Sequence, residues 1–138
     1  MSTFKVSMST FGDYKSFEEA ALSRIEITHR VIKKSGFEIF SRIIRRTPVQ
    51  TGRTRGNWQF DEGSIPSGYS EDVMDKDGGE TEMIMASGVE DWNPETIGYF
   101  ANNVPWILKL ENGSSIQAPA GMVKVSVAEF ESILKSMS

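Results

Sequence analysis

Hydrophobic residues recur at helical spacing over residues 17–46. Steps of three and four residues place them on one face of a helix. Beyond Val31 the apolar face widens, so we expect the second half of this helix to be buried against a sheet and the first half to be more exposed or packed on a neighbour. The stripe consists of Phe17, Ala21, Ile25, Thr28, Ile32, Gly36, Ile39 and Ile43.

Both ends of this predicted helix carry boundary signals. Ser16 and Glu19 have the spacing of a capping box, which predicts the start of the helix at this point. Pro48 disfavours helical geometry in the residue before it and so predicts the end. At about 1.5 Å per residue, the helix would be about 45 Å long. Basic residues near its C-terminus suit the helix dipole: Arg42, Arg45 and Arg46.

The segments on either side of this helix have weaker patterns. Residues 1–13 contain Phe4, Val6 and Met8 in alternation, which predicts a short strand or an N-terminal arm. Residues 55–60 are predicted to form a strand with Trp58 and Phe60 on one face. Residues 61–79 are rich in Gly, Ser, Pro and acidic residues, which predicts a flexible loop.

Four further segments complete the predicted order of elements. Residues 80–89 favour a short helix over a strand, and residues 96–102 favour a strand. Pro105 opens a short helical segment that runs to Leu110. Residues 122–137 favour a terminal helix, although the alternating valines of 123–127 also fit a strand leading into it.

These elements predict one α+β domain covering residues 1–138. The length of 138 residues agrees with a single domain that can bury a core.

Composition excludes several classes of function. No apolar run approaches the roughly 20 residues that cross a bilayer, and the N-terminus lacks the apolar core of a signal peptide. The absence of cysteine removes disulfides and thiol chemistry and fits a reducing compartment. One histidine argues against a His-based metal site. We therefore predict no cofactor, no metal and no membrane partner.

The net charge of −4 hides an asymmetry along the chain. Residues 1–60 hold 11 Lys/Arg and 5 Asp/Glu, a balance of +6, whereas residues 61–138 hold 4 and 14, a balance of −10. Such a division suggests surfaces that meet head-to-tail in a ring or stack. The alternative is that one helix has a basic solvated face.

Two blocks of sequence resemble a known family. The first, residues 46–58, reads RTPVQTGRTRGNW, and the second, within residues 99–127, contains NNVPW, LENGSS and QAPAGM. In this order and at this separation they resemble the neck and tail-completion proteins of long-tailed bacteriophages, relatives of the lambda minor tail protein Z. The resemblance covers residues 14–130, with Trp106 where the family more often has Tyr.

The resemblance implies an α+β fold in which a long N-terminal helix and a shorter C-terminal helix pack on a small, mostly antiparallel sheet. It also implies a structural virion protein and not an enzyme. It implies a homo-oligomeric ring, expected to be a hexamer, that completes or caps the tail and helps to join it to the DNA-filled head. Its partners would be other copies, neck or connector proteins, and tail-tube or terminator proteins, with DNA passing through the lumen as cargo. The location would be the virion, and the host cytoplasm during assembly.

Candidate interface residues follow from the two blocks. The side-chain amides of Asn102 and Asn103 suit hydrogen bonds to a partner, and the alternative is that they hold a structural turn. Trp106 suits contact with a partner, and the alternative is packing in the core. Glu111 fits a surface or fold-locking carboxylate. The small residues of 117–121 allow close approach of a neighbouring backbone, or form a loop within one subunit. The predicted interface set is Arg45, Arg46, Arg53, Arg55, Trp58, Asn102, Asn103, Trp106, Glu111, Gln117, Pro119, Gly121 and Met122.

Two other functions compete with the structural one. The basic cluster from Arg42 to Arg55 suggests a small nucleic-acid-binding protein, although no recognised nucleic-acid motif surrounds it and the isoelectric point is about 5.1. We expect these arginines to meet carboxylates of the same chain or of a neighbour. A hydrolase that uses Glu90, Asp91 and Glu111 is the weakest alternative, because nothing in the sequence marks a reacting centre.

Overall fold

In the computed structural model, residues 14–137 are described, and one long helix dominates them. Helix α1 spans Tyr14–Arg46, which corresponds to about 50 Å. This confirms the predicted N-terminal helix. Ser16 already lies inside α1, so the predicted cap at Ser16 is wrong. The predicted arm of residues 1–13 lies outside the described residues.

The C-terminus of α1 is where the sequence predicts it. The Thr47 backbone N–H donates to the carbonyls of Ile43 and Ile44 at 3.1 and 3.2 Å. The Thr47 hydroxyl donates to the same Ile43 carbonyl at 2.7 Å. These bonds satisfy the last carbonyls before Pro48 forces the chain out of the helix.

The remaining elements confirm an α+β fold. They are α2 (Arg53–Gly56), β1 (Gln59–Glu62), α3 (Gly79–Asp91), β2 (Gly98–Ala101), α4 (Ile107–Glu111), α5 (Val123–Ala128) and α6 (Phe130–Met137). The two strands pair antiparallel, with Phe60 opposite Phe100. The helical alternatives are therefore confirmed for α3 and for residues 123–127, where a strand was the competing prediction.

The strand predicted over residues 55–60 is wrong in its first half. Gly52 adopts φ +89°, and α2 follows directly. Asn57 closes this helix, because its side-chain amide donates to the Arg53 carbonyl at 2.8 Å. Extended structure therefore begins only at Gln59.

The second half of α1 forms the centre of the core. Ile39, Ile43 and Ile44 are buried there. Phe40 stacks on Phe100 with ring centroids 4.3 Å apart, and Trp58 stacks on the same ring at 4.8 Å. The predicted burial of this half against the sheet is confirmed. The other members of the core are Met85, Val89, Ala118 and Met122.

The loop predicted over residues 61–79 has neither helix nor strand over 63–78, but its predicted ends are wrong, because Asp61 and Glu62 belong to β1 and Gly79 begins α3. The rest of the chain anchors the segment 63–78. The Asn57 side chain donates to the Ser70 carbonyl and accepts from the Ser70 N–H, both at 2.8 Å. The buried Asp75 carboxylate accepts from the Thr81 N–H at 2.7 Å and from its hydroxyl at 2.6 Å. The segment is thus attached at its middle and near its C-terminal end.

Within residues 14–137, none of the helices combines the length and the apolar character that a bilayer span requires.

Candidate functional site

The two sequence blocks pack against each other and form one unit. Thr54 of α2 accepts a hydrogen bond from Trp106 Nε1 on its hydroxyl at 2.6 Å and one from Asn102 Nδ2 on its carbonyl at 2.8 Å. The Gln117 amide accepts from the Val49 N–H at 2.9 Å and donates to the Val49 carbonyl at 3.1 Å. We call this unit, residues 46–58 with 99–122, the two-block unit.

The paired asparagines hold backbone inside the protomer. Asn102 Oδ1 accepts from the Val104 N–H at 3.2 Å, which fixes the turn before Pro105. Asn103 Nδ2 donates to the carbonyls of Pro66 and Gly68 at 2.9 and 3.1 Å. Their amide donors are therefore used within the chain, which favours the structural alternative for these two residues.

Glu111 locks the loop between α4 and α5. Its carboxylate accepts from the backbone N–H groups of Met122, Val123 and Lys124 at 2.9–3.0 Å, at the start of α5. Burial acts to raise the pKa of Glu111, but these three hydrogen bonds outweigh it and the pKa lies below its ordinary value. Glu111 is the fold-locking carboxylate that the sequence allowed.

The small-residue loop makes its close backbone approach within the protomer. A Cβ at Gly121, where φ is +84°, would lie 2.4 Å from the Glu111 carbonyl oxygen. A Cβ at Gly113 would lie 2.4 Å from the Pro119 carbonyl oxygen. The contact that we predicted with a neighbour is thus made here with the chain's own α4. The Pro119 side chain remains exposed.

Three arginines of the basic cluster pair with carboxylates of the same chain. Arg45 Nε lies 3.0 Å from Glu82. Arg42 and Arg46 approach the two oxygens of Glu129 at 3.1 and 2.6 Å. The hydrogen bond from Arg46 lowers the pKa of Glu129. This confirms the expectation that these arginines meet carboxylates.

Arg55 binds backbone instead. Its guanidinium donates to the carbonyls of Lys76, Arg45 and Thr47 at 2.7–2.8 Å, tying α1 to the segment 63–78. Burial lowers the pKa of Arg55 despite nearby carboxylates. Arg53 Nε is buried with no hydrogen-bond partner among the described residues.

The interface prediction is wrong for two residues. Trp58 is 7% exposed and donates from Nε1 to the Thr47 hydroxyl at 2.8 Å, so its side chain belongs to the core. Met122 is fully buried beside it in the core cluster. Neither side chain reaches the surface of the protomer.

Trp106 lies at the surface of the two-block unit. Its half-buried side chain lines two grooves. One groove is lined by Gln50, Thr51, Gly52, Arg53 and Thr54. The other is lined by Pro48, Val49, Gln50, Thr54, Leu110, Ser114, Ser115 and Gln117.

The described residues hold no group of three or more His, Asp or Glu that could bind a metal. Both Glu111 oxygens already accept hydrogen bonds from backbone N–H groups. Glu90 and Asp91 lie exposed at the C-terminal end of α3. Of the three carboxylates in the hydrolase alternative, Glu111 is thus hydrogen-bonded to backbone between α4 and α5, whereas Glu90 and Asp91 are exposed on α3.

The outer face of α3 is a surface feature that was not predicted from the sequence. Met83 is 74% exposed and Ile84 is 67% exposed, while Thr81, Met85 and Val89 on the opposite side are buried. The alternation of acidic and apolar residues at helical spacing from Glu80 onwards was the signal for this face.

No protein-family model, no curated protein and no solved structure matches the chain. The resemblance to phage neck and tail-completion proteins rests on the two sequence blocks.

Proposed function

We propose that the chain is a structural subunit at the head–tail junction of a tailed phage. In this role, identical copies form a ring, expected to be a hexamer, that completes or caps the tail and helps to join it to the DNA-filled head. Neighbouring neck, connector and tail proteins bind above and below the ring, and DNA passes through its lumen.

The observation that carries this proposal is the two-block unit. The blocks that resemble the family are about 50 residues apart in the chain, yet Thr54, Asn102 and Trp106 bond them directly. The other polar side chains of the unit, such as Glu111 and Gln117, bond to backbone groups. Polar groups used in this way build a rigid shape, which is what a subunit of an assembly needs.

Exposed apolar side chains support an assembly role. Among the described residues, large apolar side chains more than half exposed occur on several elements: Leu22, Ile65, Met74, Met83, Ile84, Ile97, Leu108, Ile116 and Val127. Single exposed apolar residues are common, whereas grouped ones mark surfaces that bind other proteins. Met83 and Ile84, adjacent on α3, form such a group.

The acidic second half of the chain suits a DNA passage. Asp61, Glu62, Glu71 and Asp72 are exposed close together in sequence. Carboxylates facing the lumen of a ring would repel DNA phosphates and let DNA slide. A ring structure with a basic lumen would contradict this part of the proposal.

The test uses the phage whose genome encodes the chain. Mass spectrometry of purified particles should find the protein in several copies. Deletion of its gene should leave filled heads and free tails unjoined by electron microscopy, and the intact gene supplied in trans should restore joined particles. Particles that lack the protein, or normal joining after deletion, would contradict the proposal.

A further inference from the structure

We propose that the first half of α1 in one copy docks on the outer face of α3 in the next copy. The contact would join a basic apolar surface to an acidic apolar surface and close the ring. This inference rests on the proposed function, because it names the faces through which the copies assemble.

The first half of α1 precedes the part of the helix that is buried in the core. Residues 22–34 include no buried residue, whereas burial begins at Ser35. Leu22 is 56% exposed and Ile32 is 36% exposed. Ile32 belongs to the stripe that becomes buried at Ile39 and Ile43, and Leu22 lies one turn before Ile25 of the same stripe, which is only half-buried. This side of the helix is therefore incompletely covered between residues 22 and 32.

The outer face of α3 has a complementary form. Met83 and Ile84 lie at its centre, almost fully on the surface. Glu80 lies one turn before them, and Glu90 and Asp91 lie two turns after, all exposed on the same side. The outer face of α3 therefore has an apolar centre between two acidic ends.

The two faces carry opposite charge. Residues 22–34 contain Arg24, Arg30, Lys33 and Lys34 against Glu26, a balance of +3. Residues 77–108 contain no Lys or Arg and six acidic residues, a balance of −6. In the part of the chain that the structure describes, Glu82 is the one of these six that forms an ion pair. Opposite charges steer such surfaces together and fix their orientation.

The C-terminus of α3 itself favours a basic partner. Its last turn contains no basic residue and carries Glu90 and Asp91. Carboxylates at this end oppose the helix dipole, because the C-terminus already carries partial negative charge. Lys33 of the same chain already donates to the Glu90 carbonyl, so the exposed carboxylates of Glu90 and Asp91 are the groups left for a basic partner.

The occupant must be a second copy. The side of α3 with Met85 and Val89 packs in the core with α1 of the same chain. The outer face points away from that α1, so the first half of α1 cannot cover it within one protomer. A contact between two different patches of identical copies is heterologous, and such contacts generate rings when the rotation closes.

Cysteine cross-linking tests this contact, since the chain has no cysteine of its own. The double variant Leu22→Cys with Ile84→Cys, treated with a short thiol–thiol cross-linker, should give a covalent ladder that ends at the ring size. The matched control is Leu22→Cys with Ile116→Cys, because Ile116 is 96% exposed on another surface. The control should give at least 10-fold less cross-linked product.

Charge reversal tests the same contact independently. In the Leu22/Ile84 cysteine background, Arg24→Glu with Arg30→Glu, or Glu90→Lys with Asp91→Lys, should each reduce the cross-linked fraction at least 5-fold. All four changes together should restore the cross-linked fraction to within 2-fold of that of the Leu22/Ile84 cysteine pair alone. Glu71→Lys with Asp72→Lys changes the charge equally on the exposed segment 63–78 and should leave the yield unchanged.

Both experiments are performed on the purified full chain and on phage particles. A Leu22/Ile84 ladder in either preparation, with rescue by the combined reversal, supports the contact. No ladder in both, equal yield from the control pair, or no rescue overturns it. If particles contain the protein but neither the particles nor the purified chain give a ladder, the docking contact fails and the proposed function stands. If the purified chain gives the ladder and particles lack the protein, the proposed function fails instead.

Discussion

At the residue scale, Gly52 illustrates how closely the two-block unit is fitted to the segment 63–78. Its carbonyl accepts from the Asp75 N–H at 3.1 Å. A Cβ at this position would lie 2.6 Å from the backbone nitrogens of Asp75 and Lys76. Those atoms are backbone and cannot rotate away, so Gly52 is required by space as well as by its φ of +89°.

Gly52→Ala should therefore destabilise the protein strongly. We expect a loss of about 2–4 kcal/mol in the free energy of unfolding, from left-handed strain plus overpacking. Gly63→Ala is the matched control, because φ is +86° there but no atom lies within 4 Å of the added Cβ. Gly63→Ala should lower the free energy of unfolding by about 1 kcal/mol. Urea denaturation measures both, and equal losses would contradict the close approach at Gly52.

Glu111 couples stability to pH. Because its pKa is lowered in the folded state, the folded chain binds fewer protons than the unfolded chain in acid, where an ordinary Glu has a pKa of about 4.3. The stability that ionised Glu111 contributes is fully present above the pKa of an ordinary Glu, and it is lost as the pH falls through the lower pKa of the folded state. The wild type should therefore lose stability on acidification from about pH 5 to pH 3.

Glu111→Gln should lower the free energy of unfolding at pH 7 by about 1–3 kcal/mol, because three backbone donors lose a charged acceptor. The difference from wild type should shrink on acidification, when Glu111 also becomes neutral. Denaturation at a series of pH values measures this. Glu71→Gln, an exposed carboxylate on the segment 63–78, should change the value at pH 7 by less than about 0.5 kcal/mol. A pH-independent difference for Glu111→Gln would contradict the coupling.

At the element scale, α1 is one helix with two different roles. Its second half supplies Ile39, Ile43 and Ile44 to the core. Its first half has no buried residue between positions 22 and 34. Removing apolar side chains should therefore have opposite consequences in the two halves.

Ile43→Ala should lower the free energy of unfolding by about 2–5 kcal/mol, because Ile43 is 3% exposed and the core must keep a cavity. Leu22→Ala should change it by less than about 0.5 kcal/mol, since Leu22 is exposed. Urea denaturation at low protein concentration measures both. If Leu22→Ala were as damaging as Ile43→Ala, the first half of α1 would be part of the folded core.

The sequence predicts an element well where local spacing determines it. The three- and four-residue steps of α1 and the polar, Gly-rich composition of 63–78 were sufficient. The missed elements depend on distant contacts. α2 is closed by Asn57, which Ser70 also holds. The terminal helix is interrupted at Glu129, where Arg42 and Arg46 bind from α1.

The same distinction applies to the candidate site. The structure brings the two blocks together through Thr54, Asn102 and Trp106, whereas the interface role of their residues stays a prediction. Their individual roles were not predictable. Gln117 bonds to Val49, 68 residues away, and no local pattern indicates that pairing. Burial of Trp58 likewise depends on Phe100 from the partner strand.

At the scale of the whole molecule, the charge asymmetry is partly neutralised inside the protomer. Arg42, Arg45 and Arg46 from the basic half bind Glu82 and Glu129 from the acidic half. The charges that remain without such pairs in the described part of the chain include those on the first half of α1 and on the outer face of α3. The asymmetry is therefore left at surfaces suited to a second copy.

This distribution predicts that the protein does not bind DNA tightly, despite its arginine cluster. At about 100 mM salt we expect no gel shift of short duplex DNA, because carboxylates already neutralise three arginines and the net charge is −4. The double variant Glu82→Gln, Glu129→Gln releases those guanidiniums. It should show weak binding at low salt that disappears steeply as salt rises. A salt-sensitive complex of the wild type at 100 mM would show instead that the cluster is available to phosphates, and would favour the nucleic-acid-binding alternative.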